Sequence, residues 1–417
     1  MGWSRPATAS GPRRRRYEDC PHCGMSDQQS LLLVANWDSG VGYAWWLMES
    51  FWITLARAYS PTHRVLLAFP SVSEVSRDLC AAPLEIVEQS FQNRGAGDLR
   101  GHIAFLRKYR VRAIYFSDFG YFDWRYPAYR MLGRVRLIVA HDHTPGMRTQ
   151  PRGLKRLIKA TASRMPSLTA DAAIGATDFV RDRLVEVACV PPAQCFVAPN
   201  GLPAEERGAP TTDAHAAFGI DPGRQVLVMT GRAHRYKNVE FVLELLSRLS
   251  ADEQAGLCFL FIGDGPDLGL FKDRASALGV APLCVFAGRR NDVPAILRGC
   301  DLAIHPSQGE VGYSLSILEY MQAGLPVLVP DNPSVAGATV HGQTGWVYRE
   351  QDVASAAEGL RTLLGNAALR RRLGETARDT VRSNYRLDQS HAGLLEAFRR
   401  VDPRFPSSAL QSDAAKS

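Results

Sequence analysis

His305-Pro306-Ser307-Gln308-Gly309-Glu310-Val311-Gly312-Tyr313-Ser314-Leu315-Ser316-Ile317-Leu318-Glu319-Tyr320-Met321-Gln322-Ala323-Gly324-Leu325-Pro326-Val327 is the stretch on which the fold turns. The apolar run Asp301 to Ile304 just ahead of it reads as a strand. A glycine-containing loop follows, a helix begins near Ser314 and covers Leu315 to Ala323, and Pro326 to Val329 reads as the next strand. Strand, loop, helix and strand in this order form a βαβ unit, which implies parallel pairing. Its loop runs into a helix N-terminus, where unpaired backbone N–H groups and the helix dipole suit a phosphate.

The same alternation continues outward. Upstream lie a strand at Val226 to Met229, a helix at Val239 to Leu249, and a strand at Leu257 to Ile262 that ends in Gly263-Asp264-Gly265. A helix at Leu268 to Leu278, a strand at Cys284 to Ala287 and a short helix at Val293 to Arg298 follow. Helical patterns at Val353 to Leu364, Ala367 to Ser383 and Gln389 to Arg399 close the chain. The first half begins with Leu31 to Val34, a glycine turn through Gly40 and Gly42, and a helix from Tyr43 to Tyr59. Apolar runs at Arg64 to Phe69, Leu84 to Val87, Ala113 to Phe116, Leu137 to Ala140 and Ala172 to Ile174 recur at helix-sized intervals. The polar segment Pro203 to Asp213 reads as a linker.

An α/β chain with two doubly wound, Rossmann-like domains facing across a cleft is therefore expected. The expected division is a disordered basic arm at 1–28, a first domain at 29–205 and a second at 206–385. A C-terminal helix at 386–402 is expected to pack back towards the first domain, with a disordered tail at 403–417.

The chain has 417 residues, 46% of them hydrophobic and 22% charged, which suits a globular two-domain protein and excludes a fibrous or largely disordered one. No apolar run approaches the roughly 20 residues of a spanning helix. The first residues carry arginines with no apolar stretch behind them, so no secretory leader is expected and the cytoplasm is the expected compartment. A net charge of +7 suits anionic partners such as nucleotides, sugar phosphates or lipid head groups without choosing among them. No nucleic-acid-binding signature is present, and none is expected as a partner. Cys20-Pro-His-Cys23 has half of a zinc spacing but no second pair, so no metal is expected there.

Ligands of doubly wound sheets bind beyond the carboxyl ends of the strands. Gly231-Arg232-Ala233-His234-Arg235-Tyr236-Lys237-Asn238 follows one such strand and places cations beside a helix start, as an anion site or a solvated basic loop would. Glu319 lies in the first turns of its helix, where a carboxylate can accept hydrogen bonds from a ribose diol.

Glu310, the glycines after it, Glu319 and Ala323-Gly324-Leu325-Pro326-Val327 together resemble the signature of the retaining glycosyltransferases of family 4, which have the GT-B fold. "TGRAHRYKNVEFVLELLSRL", "FLFIGDGPDLGLF", "VFAGRRNDVPAILRGCDLAIHPS" and "HGQTGWVY" agree with the family in order; "VAHDHTPG", "AIGATDFVRDRL" and "VAPNGLP" resemble its N-domain landmarks. The likeness is dense from about residue 170 to 385 and sparser before. It implies transfer of a sugar from a nucleotide-activated donor to a glycan or lipid-linked acceptor hydroxyl, in cell-surface polysaccharide or glycoconjugate synthesis, with no metal or other cofactor. It assigns Arg232 and Lys237 to the donor diphosphate, Glu319 to the ribose, and the backbone of Gly312, Tyr313, Ser314 and Leu315 to the phosphate turn. His141 falls near the transferred sugar. Gly40 and Gly42 form the first-domain turn by the donor, and Gly263, Gly265 and Arg289 lie near the base. One departure stands out: the family spacing places the first glutamate at Val311, whereas Glu310 is one residue earlier. Either the loop carries an extra residue and Glu310 takes the role, or that contact is altered.

Trp37, Trp45, Trp46 and Trp52 crowd one segment with Tyr43 and Phe51, as core packing or as an acceptor groove. Arg13 to Arg16 and the basic residues between Arg148 and Arg164 suit either solvation or peripheral contact with an anionic membrane. The rival functions are a GT-B epimerase or synthase, which share the cleft, and a catalytically silent GT-B binding subunit.

Overall fold

The computed structural model describes residues 28–40, 45–93, 95–205 and 208–406. The expected basic arm, the Cys20/Cys23 pair, Gly42, Tyr43 and the last eleven residues, 407–417, lie outside these.

Seven parallel strands form the first sheet: β1 (Ser30–Val34), β2 (Arg64–Phe69), β3 (Glu85–Glu88), β4 (Val111–Ser117), β5 (Leu137–Asp142), β6 (Ala172–Gly175) and β7 (Cys195–Val197), in the order β3-β2-β1-β4-β5-β6-β7. Six form the second: β8 (Gln225–Thr230), β9 (Leu257–Ile262), β10 (Cys284–Gly288), β11 (Leu302–Ile304), β12 (Val327–Pro330) and β13 (Gly345–Tyr348), in the order β10-β9-β8-β11-β12-β13. Every pairing between these strands is parallel. Central strands such as Leu31-Leu32-Leu33-Val34 and Leu257 to Ile262 are buried on both faces, which is why they read as continuous apolar runs rather than alternating ones. The edge strands β7 and β13 escape sequence reading because their apolar runs are short.

Six helices bear on function: α1 (Trp45–Tyr59), α2 (Gly153–Ala162), α3 (Asp178–Glu186), α4 (Leu315–Ala323), α5 (Ala367–Asn384) and α6 (Leu387–Val401). Ser314 caps α4 by accepting from the Ser316 N–H at 3.3 Å. The last helix crosses back to the first sheet, where Leu394, Ala397 and Phe398 join the core formed by α1 and β1. Tyr59 anchors it by donating to Asp402 at 2.6 Å. The segment read as a linker is tied down rather than loose: the Arg298 guanidinium pairs with Glu205 at 3.2 Å and donates to the Pro210 carbonyl. Among the described residues no helix is long and apolar enough to cross a membrane.

Strand order reverses between β1 and β4 in the first sheet and between β8 and β11 in the second. Crevices at such reversals are where doubly wound sheets take their ligands. The loops at these four strand ends are therefore the ones that matter: Gly40, Asp118, Arg232 to Lys237, and His305 to Gly312.

Candidate functional site

The loops after β8 and β11 meet at the second sheet's reversal. Arg235 to Lys237 form a single 3₁₀ turn that carries the Lys237 side chain inward. Its Nζ lies 2.5 Å from Glu310 Oε1, and both side chains are nearly buried. His305 Nε2 donates to the same oxygen at 2.9 Å. Burial alone would push the Glu310 carboxyl up, but the Lys237 charge and the hydrogen bond from His305 bring it down to about 2. Lys237 is held above its ordinary value by the same pairing, against the pull of burial. Burial keeps His305 low, and so neutral, which fits its role as an N–H donor to an ionised carboxylate.

The one-residue shift in the glutamate spacing has a structural counterpart. Glu310 points to Lys237, while Val311 packs into the first domain's core beside Ala176 and Val180. Thr177 Oγ1 donates to the Val311 carbonyl, and the Gly146 N–H donates to the Glu310 carbonyl at 2.8 Å. Gly312 has φ +105°, and a Cβ there would meet Thr177 and Phe179. The loop between the two glutamates is thus one place where the domains touch.

Gly263 and Gly265 press backbone to backbone against Gly231 and Ala233; a Cβ on Gly263 would fall inside the shell of the Gly231 carbonyl oxygen. Hydrogen bonds from Gly231 N to Ile262 O at 3.1 Å and from Ala233 N to Asp264 O at 2.9 Å lock the two strand-end loops together. Arg232, between them, is exposed and makes no ion pair among the described residues. Glu319, half-buried on α4, likewise has no hydrogen-bond partner among them, and burial pushes its carboxyl up to about 7. Tyr313 turns its side chain to the inter-domain crossing, donating to the Asn200 carbonyl at 2.9 Å and packing on Tyr385. Leu315 is wedged between the cores of both domains.

In the first domain, His141 ends β5 fully buried. Its Nδ1 lies 2.6 Å from the Tyr115 hydroxyl, and Phe51 packs on the ring at 5.2 Å. Burial raises the Tyr115 hydroxyl well above its ordinary value and drives His141 well below its own, so the phenol keeps its proton and the imidazole is neutral. Tyr115 then donates to Nδ1, and Nε2 carries the hydrogen. That Nε2 is buried with no partner among the described residues. The His143 ring packs against that of His141 at 4.1 Å, tilted by 45°, and lies 3.6 Å from Asp118, a positive-φ residue whose carboxyl burial raises. Arg183 on α3 ties down the loop after β5 by donating to Thr144 O at 2.7 Å and Gly146 O at 2.7 Å. Gly40 sits against Ser73 at the end of β1. Arg289 is exposed beyond β10, two strands from the reversal.

The structure therefore gathers Lys237, Glu310, Arg232 and the Gly263–Gly265 loop at one reversal and brings the loop after His141 against them. His305, Tyr115, Thr177 and Asn200 carry geometry to which the sequence alone assigns no role. Tyr115 meets His141 through the pairing of β4 with β5, a contact that residue spacing does not reveal. Trp52 and Phe51 are fully buried, Trp45 and Trp46 pack partly on the core, and Trp37 is exposed.

Residues 210–380 match the family described as glycosyl transferases group 1. The N-acetyl-alpha-D-glucosaminyl L-malate synthase of Bacillus anthracis is 25% identical over 178 residues, 43% of this chain and 46% of that protein. The chain spans half or less of the first curated relatives it matches. A glycosyltransferase from Rickettsia africae superposes with a TM-score of 0.72 at 14% identity, over 90% of this chain and 100% of its own. Anabaena HepE, solved with UDP-glucose, superposes at 0.66 with 15% identity, over 89% of this chain and 100% of its own. Residues 210–380 thus match glycosyl transferases group 1, within a chain of GT-B fold.

Proposed function

We propose that the protein is a retaining family 4 glycosyltransferase. It moves a sugar from a nucleoside diphosphate donor to a hydroxyl of a glycan or lipid-linked acceptor, in cell-surface polysaccharide or glycoconjugate synthesis. The observation that carries this reading is the buried Lys237–Glu310 pair at the second sheet's reversal, beside exposed Arg232 and the N-terminus of α4. The solution of HepE with UDP-glucose supports a donor of this class.

A leaving nucleoside diphosphate accumulates negative charge on its phosphate oxygens. Arg232, Lys237 and the N-terminal amides of α4 supply the matching positive potential, the job a metal ion does elsewhere. Glu310 holds Lys237 extended and charged in a buried place. Glu319 accepts from the ribose hydroxyls. Tyr115 fixes His141 with its hydrogen on the buried Nε2, which leaves a neutral donor for a hydroxyl of the transferred sugar. The contact of Gly146 and Thr177 with the 310–311 backbone closes one wall against water, which limits donor hydrolysis.

The test is incubation with UDP-, GDP- and ADP-sugars, following nucleoside diphosphate release and the anomeric configuration of the released or transferred sugar by proton NMR. Turnover of one donor, with the first-formed product keeping the donor's configuration, is expected. Inversion would remove the retaining assignment, and epimerised donor without transfer would point to the epimerase rival. Binding without turnover of any donor would leave a silent subunit.

A further inference from the structure

Among the described residues of the first domain, helix α2 has a sequence that its packing does not account for. It reads Gly-Leu-Lys-Arg-Leu-Ile-Lys-Ala-Thr-Ala and buries none of its ten residues. Leu154, Leu157 and Ile158, spaced as one helix face, are 71%, 63% and 60% exposed. Met165 just beyond the helix is 46% exposed, and Phe122 and Trp124 are 49% and 45% exposed. The loop with Phe122 is tied to the helix: Phe122 bridges to Thr169, and Phe122 and Ile158 line the same cavity of about 510 Å³ beneath the helix. An apolar face of this extent left in water on a helix needs a partner.

The charges around the patch say which partner. Between Gly146 and Ala170 the chain carries Arg148, Arg152, Lys155, Arg156, Lys159 and Arg164 and no aspartate or glutamate. None of the six cations has a carboxylate partner among the described residues. A second copy docked face to face would set these cations against their own images. An anionic surface that is apolar just below satisfies both features, and a short basic helix with leucine and isoleucine on one side and tryptophan and phenylalanine at its rim has the character of an interfacial helix.

We infer that the face formed by α2, Met165, Phe122 and Trp124 seats in the head-group region of an anionic lipid bilayer. The helix follows β5 through the loop after His141, so this seating brings that wall of the cleft to the membrane surface. Under the glycosyltransferase reading it gives the protein an acceptor whose aglycone is lipid; the docking itself does not depend on that reading.

The experiment is sedimentation of the full chain with vesicles of phosphatidylcholine alone and of phosphatidylcholine with phosphatidylglycerol, at low and high salt. Binding to the mixed vesicles and little to the neutral ones is expected, weakening as salt rises. L157E lowers the partition coefficient about tenfold or more by removing a leucine from the apolar phase. K155A with R156A lowers it by more than tenfold, at about fivefold per charge. All three side chains are exposed, so the variants keep the wild-type melting temperature and nucleoside diphosphate binding. Absence of sedimentation with anionic vesicles, or binding indifferent to both variants, overturns the proposal. So does a lipid-free dimer, seen by analytical ultracentrifugation, that L157E dissolves. Loss of donor turnover with vesicle binding intact would sink the catalytic reading and leave this one standing.

Discussion

The two sheets follow one plan, yet the loops at their reversals are stabilised in opposite ways. In the second domain the strand ends hold charge: Lys237 and Glu310 form a buried ion pair, with Arg232 exposed beside it. In the first domain the histidines at the strand ends are neutral, since burial strips the charge from His141 and His143 and aromatic rings pack around them. An ion pair there, Arg183 with Asp142 at 3.2 Å, holds the loop after β5. A nucleoside diphosphate asks for fixed positive potential, whereas a sugar hydroxyl asks for a hydrogen-bond donor without net charge. The contrast between the two halves is therefore chemical rather than architectural.

Breaking the ion pair tests the charged half hardest. Glu310→Ala leaves Lys237 buried without its counter-charge and should cost about 3–5 kcal/mol of stability. The wild type carries a matching pH signature. Glu310 ionises at about 2 in the fold against 4.5 as its ordinary value, so its contribution is full above about pH 4.5 and is lost as pH falls towards 2. Denaturant unfolding between pH 7 and pH 3 should show that loss in the wild type and not in the variant.

Next in size is Gly263→Ala. The new methyl collides with backbone at Gly231, which cannot rotate away, so about 3 kcal/mol of destabilisation is expected, with loss of nucleotide binding from the displaced Arg232 loop. Wild-type thermal stability for this variant would show that the two loops are not locked as described.

Glu319→Gln should act with the opposite sign. The carboxyl ionises at about 7 in the fold against 4.5, so its stabilising share is present below about pH 4.5 and disappears as pH rises to 7. Removing the charge should raise stability at pH 8 by about 1–3 kcal/mol and weaken nucleotide binding in the same protein. Calorimetry at pH 5 and pH 8 separates this from a general packing gain, which would not depend on pH.

The neutral half gives the smaller stability effect. Tyr115→Phe removes the donor to His141 Nδ1 at a cost of about 1–2 kcal/mol. It frees the imidazole to take the other tautomer, so kcat should fall about tenfold or more while nucleoside diphosphate affinity stays unchanged. A fall in affinity equal to the fall in kcat would contradict the separation of roles between the two domains.

Much of the fold was legible in the chain. Parallel strands buried on both faces announce themselves as unbroken apolar runs, so Leu257 to Ile262 and Leu31 to Val34 were readable, and Ser314 and Gly324 bracket α4. Of the edge strands, β3 and β10 were readable, whereas β7 and β13, at Cys195 to Val197 and Gly345 to Tyr348, were not, because their apolar runs are short. The glutamate shift was visible as a count, but where each side chain goes was not. That depends on Val311 finding the first domain's core, a contact between residues far apart in sequence. Tyr115 and Thr177 escaped for the same reason. The linker reading of Pro203 to Asp213 followed composition and could not foresee that Arg298 would strap it down.

The measurement that bears most directly on the donor site is thermal unfolding with UDP, GDP or ADP, for the wild type and for Arg232→Ala. Arg232 is exposed and unpaired among the described residues, so the substitution should change the ligand-free stability by no more than about 0.5 kcal/mol. Ligand at a hundred times its dissociation constant adds about 2.7 kcal/mol, a shift of a few degrees. One nucleoside diphosphate should give that shift in the wild type and lose most of it in Arg232→Ala. A shift that survives the substitution unchanged, or no shift with any of the three, would contradict a diphosphate site at the reversal of the second sheet.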